Sequence, residues 1–255
     1  MLTRFREMWR KRSRREEIYS RPAFWNDKAD SHAGSAASMF INPTLNEYYQ
    51  REQFAFFDTA LGNVTGHRIL DVGCGTGRVS RHLAERGAIV SAFDFAEKAI
   101  EIARQESGAH RIDYSVASVS DVELKDESHN EIVVLGCLTL ACNTAEDFVH
   151  VLKKLHAALN PGGKLVLIEP FHQGFLHRVL RLSKSEAIAL IQKNGFEVFA
   201  VQEMHFWPLR LCLTLGETPA WITRTLYPAG EAILRMSPKV LGLGDYKGIA
   251  ARRLP

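Results

Sequence analysis

From residue 68 onward, short apolar runs alternate with amphipathic segments. The runs RILDV (68–72), IVSAFD (89–94), IDYSVA (112–117), NEIVVLG (130–136), KLVLIEP (164–170), FEVFAVQEM (196–204) and YKGIAARRL (246–254) predict seven strands. Helical spacing of apolar positions predicts helices over 78–86, 96–105, 145–159 and 185–195, and one over 42–61 ahead of the first strand. Asn42 and Pro43 open the earliest of these helices. Ser183 and Glu186 match a capping box before the last one, which Gly195 ends. Strands that are apolar nearly throughout need cover on both faces. The pattern therefore predicts an α/β fold with a doubly wound, mostly parallel seven-stranded sheet.

Two stretches break the alternation: PFHQGFLHRVLRL (170–182) and a segment rich in Trp, Pro and Leu between residues 205 and 245. Connections of that length often serve as lids or binding loops. The expected organisation is an N-terminal helical extension over 1–66, a ligand-binding core over 67–204, an insertion acting as a lid over 205–245, and a final core strand over 246–255. The start, MLTRFREMWRKRSRREE, is dense in Arg and Lys, with Phe5, Met8 and Trp9 at helical spacing. That composition suits contact with an anionic membrane surface or a polyanion, and equally a solvated terminal helix.

Composition narrows the picture only a little. The 255 residues suffice for one domain with a full core, and a net charge of +3 does not by itself indicate nucleic acid. Cys74, Cys137, Cys142 and Cys212 form no CxxC pair and no zinc-ligand spacing, so no metal is expected. The longest apolar run, IVVLGCLTLAC, is far short of the ~20 residues a spanning helix needs, and the chain shows no secretory signal. A cytoplasmic location is the expectation.

The first candidate chemistry is a loop. In ILDVGCGTGR, Gly73, Gly75 and Gly77 stand between a buried strand and a helix. A tight glycine turn there brings backbone N–H groups and a helix N-terminus toward one point, where ligands of open α/β sheets bind. The dinucleotide fingerprint wants glycine where this chain has Arg78. Asp71 adds a carboxylate that repels a pyrophosphate but suits a positively charged ligand, and Asp94 ends the second strand, where an acid accepts bonds from ribose hydroxyls. The ligand implied is a nucleoside with a cationic tail.

LDVGCGTGR with Asp94, and later LNPGGKLVLIEP, resemble the class I S-adenosylmethionine-dependent methyltransferases, in the small-molecule branch of ubiquinone- and menaquinone-methyltransferase-like proteins. The resemblance spans roughly residues 68–203. It implies a Rossmann-like methyltransferase fold, S-adenosylmethionine as cofactor and S-adenosylhomocysteine as product. It also implies that Asp71, Gly73, Cys74 and Gly75 line the methionine end, that Gly77 closes the turn, that Asp94 holds the ribose and that Phe95 lies on the adenine. Ser118 and Val119 fall where many relatives place an acidic residue for the adenine, with Asp121 one offset alternative. Leu135, Gly136 and Cys137 fall at the fourth strand's end, and Arg51 where some relatives hold the cofactor carboxylate.

Methyl transfer is an in-line displacement that mainly requires alignment in a dry pocket, and an oxygen acceptor also benefits from a general base. His172 is the first candidate base and His177 the second. Glu169 is a pocket carboxylate or a structural partner, and Tyr48, Tyr49 and Trp207 are candidate pocket walls. After the fourth strand the chain reads GCLTLACN, without the Asn/Asp-Pro-Pro-aromatic run of amino-methylating DNA enzymes. The Pro-Cys nucleophile and the magnesium-binding carboxylates of other relatives are also missing. The expected partner is a small, largely apolar acceptor methylated on O or C. The alternatives are a nucleic-acid- or membrane-associated methyltransferase using the basic N-terminus, a catalytically silent S-adenosylmethionine-binding regulator, and NAD-dependent oxidoreduction, against which Arg78 stands.

Overall fold

The computed structural model describes residues 14–31, 39–214, 218–238 and 241–255. The apolar positions expected to start the basic N-terminal helix, Phe5, Met8 and Trp9, lie outside them. Strands β1 (Arg68–Val72), β2 (Ile89–Asp94), β3 (Asp113–Val116), β4 (His129–Leu135), β5 (Leu159–Glu169), β6 (Phe196–Phe206) and β7 (Gly244–Arg253) form one sheet in the order β3-β2-β1-β4-β5-β7-β6. The first five run parallel, and β7 runs antiparallel between β5 and β6. This is the doubly wound, mostly parallel seven-stranded sheet that the apolar pattern implies.

Side chains alternate across the sheet, as strand geometry requires. Leu70, Val72, Ile132, Val134, Leu165 and Leu167 enter a core with helices α7 (Ala145–Ala158) and α8 (Lys184–Lys193). Ile69, Val133, Val166 and Ile168 enter the opposite core with α3 (Pro43–Leu61), α4 (Arg78–Glu85) and α5 (Glu97–Glu106). Burying each such side chain is worth about 1.5–3 kcal/mol, so the two cores fix both faces of the sheet. The caps behave as the sequence suggests. Asn42 accepts from the Leu45 N–H at the start of α3, and Ser183 and Glu186 exchange the two bonds of a capping box. The NPGG turn differs from expectation: it is absorbed into β5, and the register jumps from His129↔Leu159 to Glu131↔Lys164.

Three further pieces surround the sheet. Helices α1 (Arg15–Tyr19) and α2 (Pro22–Ser31) lie ahead of α3, with α2 packed on α5. A one-turn helix, α6 (Leu138–Ala141), follows β4. Helices α9 (Trp207–Thr214) and α10 (Ala220–Met236) fill the 205–245 segment and pack against β6 and α3.

Candidate active site

The strand order reverses between β1 and β4, and a crevice opens at the carboxyl ends of those two strands. It widens into a cavity of about 520 Å³. Asp71, Gly73, Cys74, Gly75, Asp94, Phe95, Ser118, Val119, Leu135, Gly136 and Cys137 all line it. Close packing dictates the glycine at position 73. Its φ is +69°, and a Cβ there would sit 2.4 Å from the Cys137 sulfur. Gly77 has a different task. A Cβ on it would meet the Tyr114 hydroxyl at 2.3 Å, so it seats α4 against α5 and β3 and does not line the cavity.

The two acids are bonded differently. Asp71 is 1% exposed, and its Oδ2 accepts from Ser80 Oγ at 2.6 Å. Burial, with the Ser80 bond opposing and Asp94 adding repulsion, pushes its pKa up to about 7. Asp94 accepts from the Gly75 N–H at 2.9 Å on one oxygen and from the Ala96 N–H at 2.9 Å on the other. It thereby ties the loop to β2, and an ionised carboxylate still has lone pairs left for a ligand. Burial raises both the Cys74 and Cys137 thiols well above their ordinary range, so neither is a thiolate nucleophile.

Glu169 is a structural partner, and its partner is backbone. Fully buried at the end of β5, it accepts from the N–H groups of Cys137, Leu138 and Thr139 at 2.7, 2.8 and 3.2 Å and from Thr139 Oγ1 at 2.7 Å. It caps α6 and so fixes the Leu135–Cys137 wall.

The roof of the cavity is made by residues that the sequence did not single out. Tyr19, Phe24, Trp25 and Lys28 come from α1 and α2, followed by Met39 and Phe40. Tyr19, Phe24 and Trp25 pack together with ring centroids 5.2–5.8 Å apart, and the Trp25 Nε1–H donates to the Tyr19 carbonyl. Trp25 also packs beside Phe95 and Ala96. From α3, Tyr49 and Gln53, one helical turn apart, face the cavity. Gln53 is 2% exposed and its Oε1 has no hydrogen-bond partner among the described residues. Arg178 and Tyr246 complete the wall.

The same helix geometry turns Arg51 away. It lies two residues from each of Tyr49 and Gln53, about 200° around the axis. It is exposed, with its guanidinium 4.8 Å from the Tyr48 ring. His172 does not line the cavity either. Phe171 packs edge-on against Phe148 in the core, and the His172 ring turns to β7. There its Nε2–H donates to the Asp245 carbonyl at 2.9 Å, while Lys247 Nζ lies 3.3 Å from Nδ1. Burial, followed by the charge of Lys247, pushes its pKa down to about 4. His177 Nδ1–H donates to the Gly174 carbonyl, outside the cavity. Asp121 and Trp207 are also absent from the lining.

Among the described residues, no side chain of the 205–243 segment lines the cavity. That segment buttresses α3 instead. His205, fully buried with φ +65°, stacks on Tyr49 with centroids 3.6 Å apart, and its Nδ1 is 2.7 Å from the Tyr227 hydroxyl. Glu52, His205 and Glu231 each offer a ligand atom within 4.8 Å of one another, a grouping that has the atoms to hold a metal ion. Glu231 accepts from the Phe206 N–H at 2.8 Å, and burial, then repulsion by Glu52, raises its pKa to about 7. No sequence motif announces the grouping, because its members come from three distant elements.

Residues 69–163 match the family model described as a methyltransferase domain. The chain is 34% identical over 116 residues to a ubiquinone biosynthesis O-methyltransferase of Idiomarina loihiensis, covering 44% of this chain and 46% of that relative. It is 28% identical over 190 residues to the protein of the same name from Coxiella burnetii, covering 67% and 76%. The first match thus spans less than half the relative's length. A solved S-adenosylmethionine-dependent methyltransferase from Mesorhizobium loti superposes with a TM-score of 0.59 at 21% identity, covering 78% of this chain and 96% of that one. The cradle at the crevice fits S-adenosylmethionine, the cofactor of that solved methyltransferase: a loop whose Gly73 leaves no room for a Cβ, a sealed acid at its base and a second acid at the end of β2. Residues 69–163 are thus similar in sequence to methyltransferase domains, and the chain shares the fold of that solved methyltransferase.

Proposed function

We propose that this protein transfers a methyl group from S-adenosylmethionine to an oxygen, or a carbon, of a small-molecule acceptor held under the α1–α2 roof. The observation that carries the reading is one continuous cavity with two kinds of wall. The glycine loop, Asp71 and Asp94 line one side, and Tyr19, Phe24, Met39, Phe40 and Tyr49 line the other. The curated relatives named as O-methyltransferases favour oxygen.

Bound there, the cofactor would supply an electrophilic methyl group, which a lone pair of the acceptor attacks in line with the breaking C–S bond, S-adenosylhomocysteine leaving with that bond's electron pair. The chain's own residues supply position and dryness. Asp71 is placed to pair with the cofactor's ammonium and Asp94 with its ribose hydroxyls, while Phe95 and Trp25 flank the adenine side. Tyr49, whose phenol burial raises well above its usual range, stays protonated and donates to Asp245 Oδ2 at 3.4 Å. Gln53 Oε1 is a buried acceptor for a ligand hydroxyl or amine. No histidine lines the cavity among the described residues, so alignment is the main source of rate. An acceptor that is itself acidic, such as a phenol, loses its proton to water.

The test is mass spectrometry of a metabolite extract incubated with the protein and methyl-labelled S-adenosylmethionine. The expected result is a labelled small molecule together with S-adenosylhomocysteine. Cofactor binding with no labelled product from any extract would leave the protein as a cofactor-binding regulator and overturn the enzyme reading.

A further inference from the structure

Among the described residues, the charged groups that line the cavity are unbalanced: Lys28, Arg78 and Arg178 are cationic, and Asp71 and Asp94 are acidic. The cofactor deepens the imbalance, because it brings a sulfonium and an ammonium against one carboxylate. Holding a cation in a closed site is unfavourable unless an anion pairs with it.

The three cations have different surroundings. Arg78 opens α4 beside the glycine loop, donates to Gln50 Oε1 at 3.0 Å, and has Tyr246 and Asp71 as its nearest favourable electrostatic neighbours. It is placed for the cofactor's carboxylate. Arg178 sits among Tyr246, Asp245, Tyr19 and Tyr49. The one acid in that set, Asp245, is committed to a 2.9 Å ion pair with Arg210. Among the described residues the Arg178 guanidinium makes no hydrogen bond and no ion pair, although the cavity lies before it.

Its backbone is held in place. Arg15 of α1 donates to the carbonyls of both His177 and Arg178, the second at 3.3 Å. The roof helix thus clamps the segment that carries the guanidinium. Preorganisation of that kind lowers the entropy lost when a ligand pairs with the side chain. The Lys28 ammonium lines the same cavity, and its pKa is pushed down to about 8, by burial first and then by repulsion from Arg178 and Arg78. An entering anion relieves that repulsion.

We infer that the methyl acceptor is a carboxylic acid with an apolar or aromatic body, its carboxylate paired with Arg178 under the aromatic roof. The planar guanidinium fork matches a carboxylate's two oxygens, and Tyr19, Phe24 and Met39 supply apolar wall for the remainder. This rests on the methyltransferase reading above, and it gives the largely apolar acceptor a charged end.

The test is calorimetric. Protein saturated with S-adenosylhomocysteine is titrated with 3,4-dihydroxybenzoate, 4-hydroxycinnamate and octanoate, each compared with its methyl ester. At least one acid is expected to bind tenfold or more tighter than its ester, and Arg178→Gln is expected to erase the preference while Arg178→Lys keeps part of it. Equal binding of every acid and its ester to the unaltered protein, absence of binding by both included, overturns the inference whether or not the variants fold. So does an acid preference that survives in folded Arg178→Gln. Titration of S-adenosylhomocysteine alone is read first, and its failure condemns the methyltransferase reading. The acid-against-ester comparison on cofactor-free protein then still reports on Arg178.

Discussion

At the scale of single residues, Asp71 gives the site a built-in pH dependence. It is sealed from water, and burial holds its pKa at about 7. Pairing with an ammonium requires the ionised form, so proton release must precede or accompany binding. Affinity for S-adenosylhomocysteine should therefore rise with pH, about tenfold per unit below 7, and level off above it. Calorimetry from pH 5.5 to 8.5 checks this, and a flat profile would remove Asp71 from the ammonium site. His172 makes the opposite case. With its Nε2–H given to the Asp245 carbonyl and its pKa near 4, it is neutral at ordinary pH but spent on structure. His172→Ala should keep turnover within about threefold. Losing the bond should cost about 1 kcal/mol, a drop of roughly 2–4 °C in melting temperature. A hundredfold loss of turnover would restore it as a base.

At the scale of elements, two small pieces shape the cavity. Glu169 holds four donors at the start of α6. Removing it leaves buried N–H groups without partners, and Glu169→Ala should destabilise by about 3 kcal/mol or more, with Glu169→Gln milder because one carbonyl oxygen remains. Denaturant melts of the two variants measure the difference, and equal stability would contradict the capping role. Trp25 of the α1–α2 roof lines the cavity, so Trp25→Ala should weaken S-adenosylhomocysteine binding about tenfold with little change in melting temperature. Unchanged affinity would mean that the roof touches only the acceptor. These elements also mark what a sequence reveals. The strands and the glycine loop are legible because their requirements are local: apolar continuity over five or six residues, or a φ and a close approach that only glycine accepts. The roof is not legible. Trp25, Lys28 and Arg178 meet only through tertiary packing, because they come from α2 and from the loop after β5. Arg51 and His172 show the same limit: the sequence gives their positions along the chain, but not that Arg51 lies on the far side of α3 from Tyr49 and Gln53, or that His172, in the loop after β5, bonds to the Asp245 carbonyl.

At the scale of the whole molecule, the sheet places one acid under the glycine loop and another at the end of β2. The N-terminal helices close the crevice from above, and the described residues of the late segment pack on α3 and β6. The central claim is that this crevice, bounded by β1, β2 and the roof, is where the cofactor binds. The measurement that tests it most directly is the affinity of Asp94→Ala for S-adenosylhomocysteine relative to the unaltered protein, with melting temperature read alongside to establish folding. Loss of a charged acceptor for the ribose hydroxyls should cost about 1.5–3 kcal/mol, which is tenfold to more than a hundredfold in affinity. A folded Asp94→Ala protein that binds S-adenosylhomocysteine as tightly as the original would contradict the account and move the cofactor elsewhere.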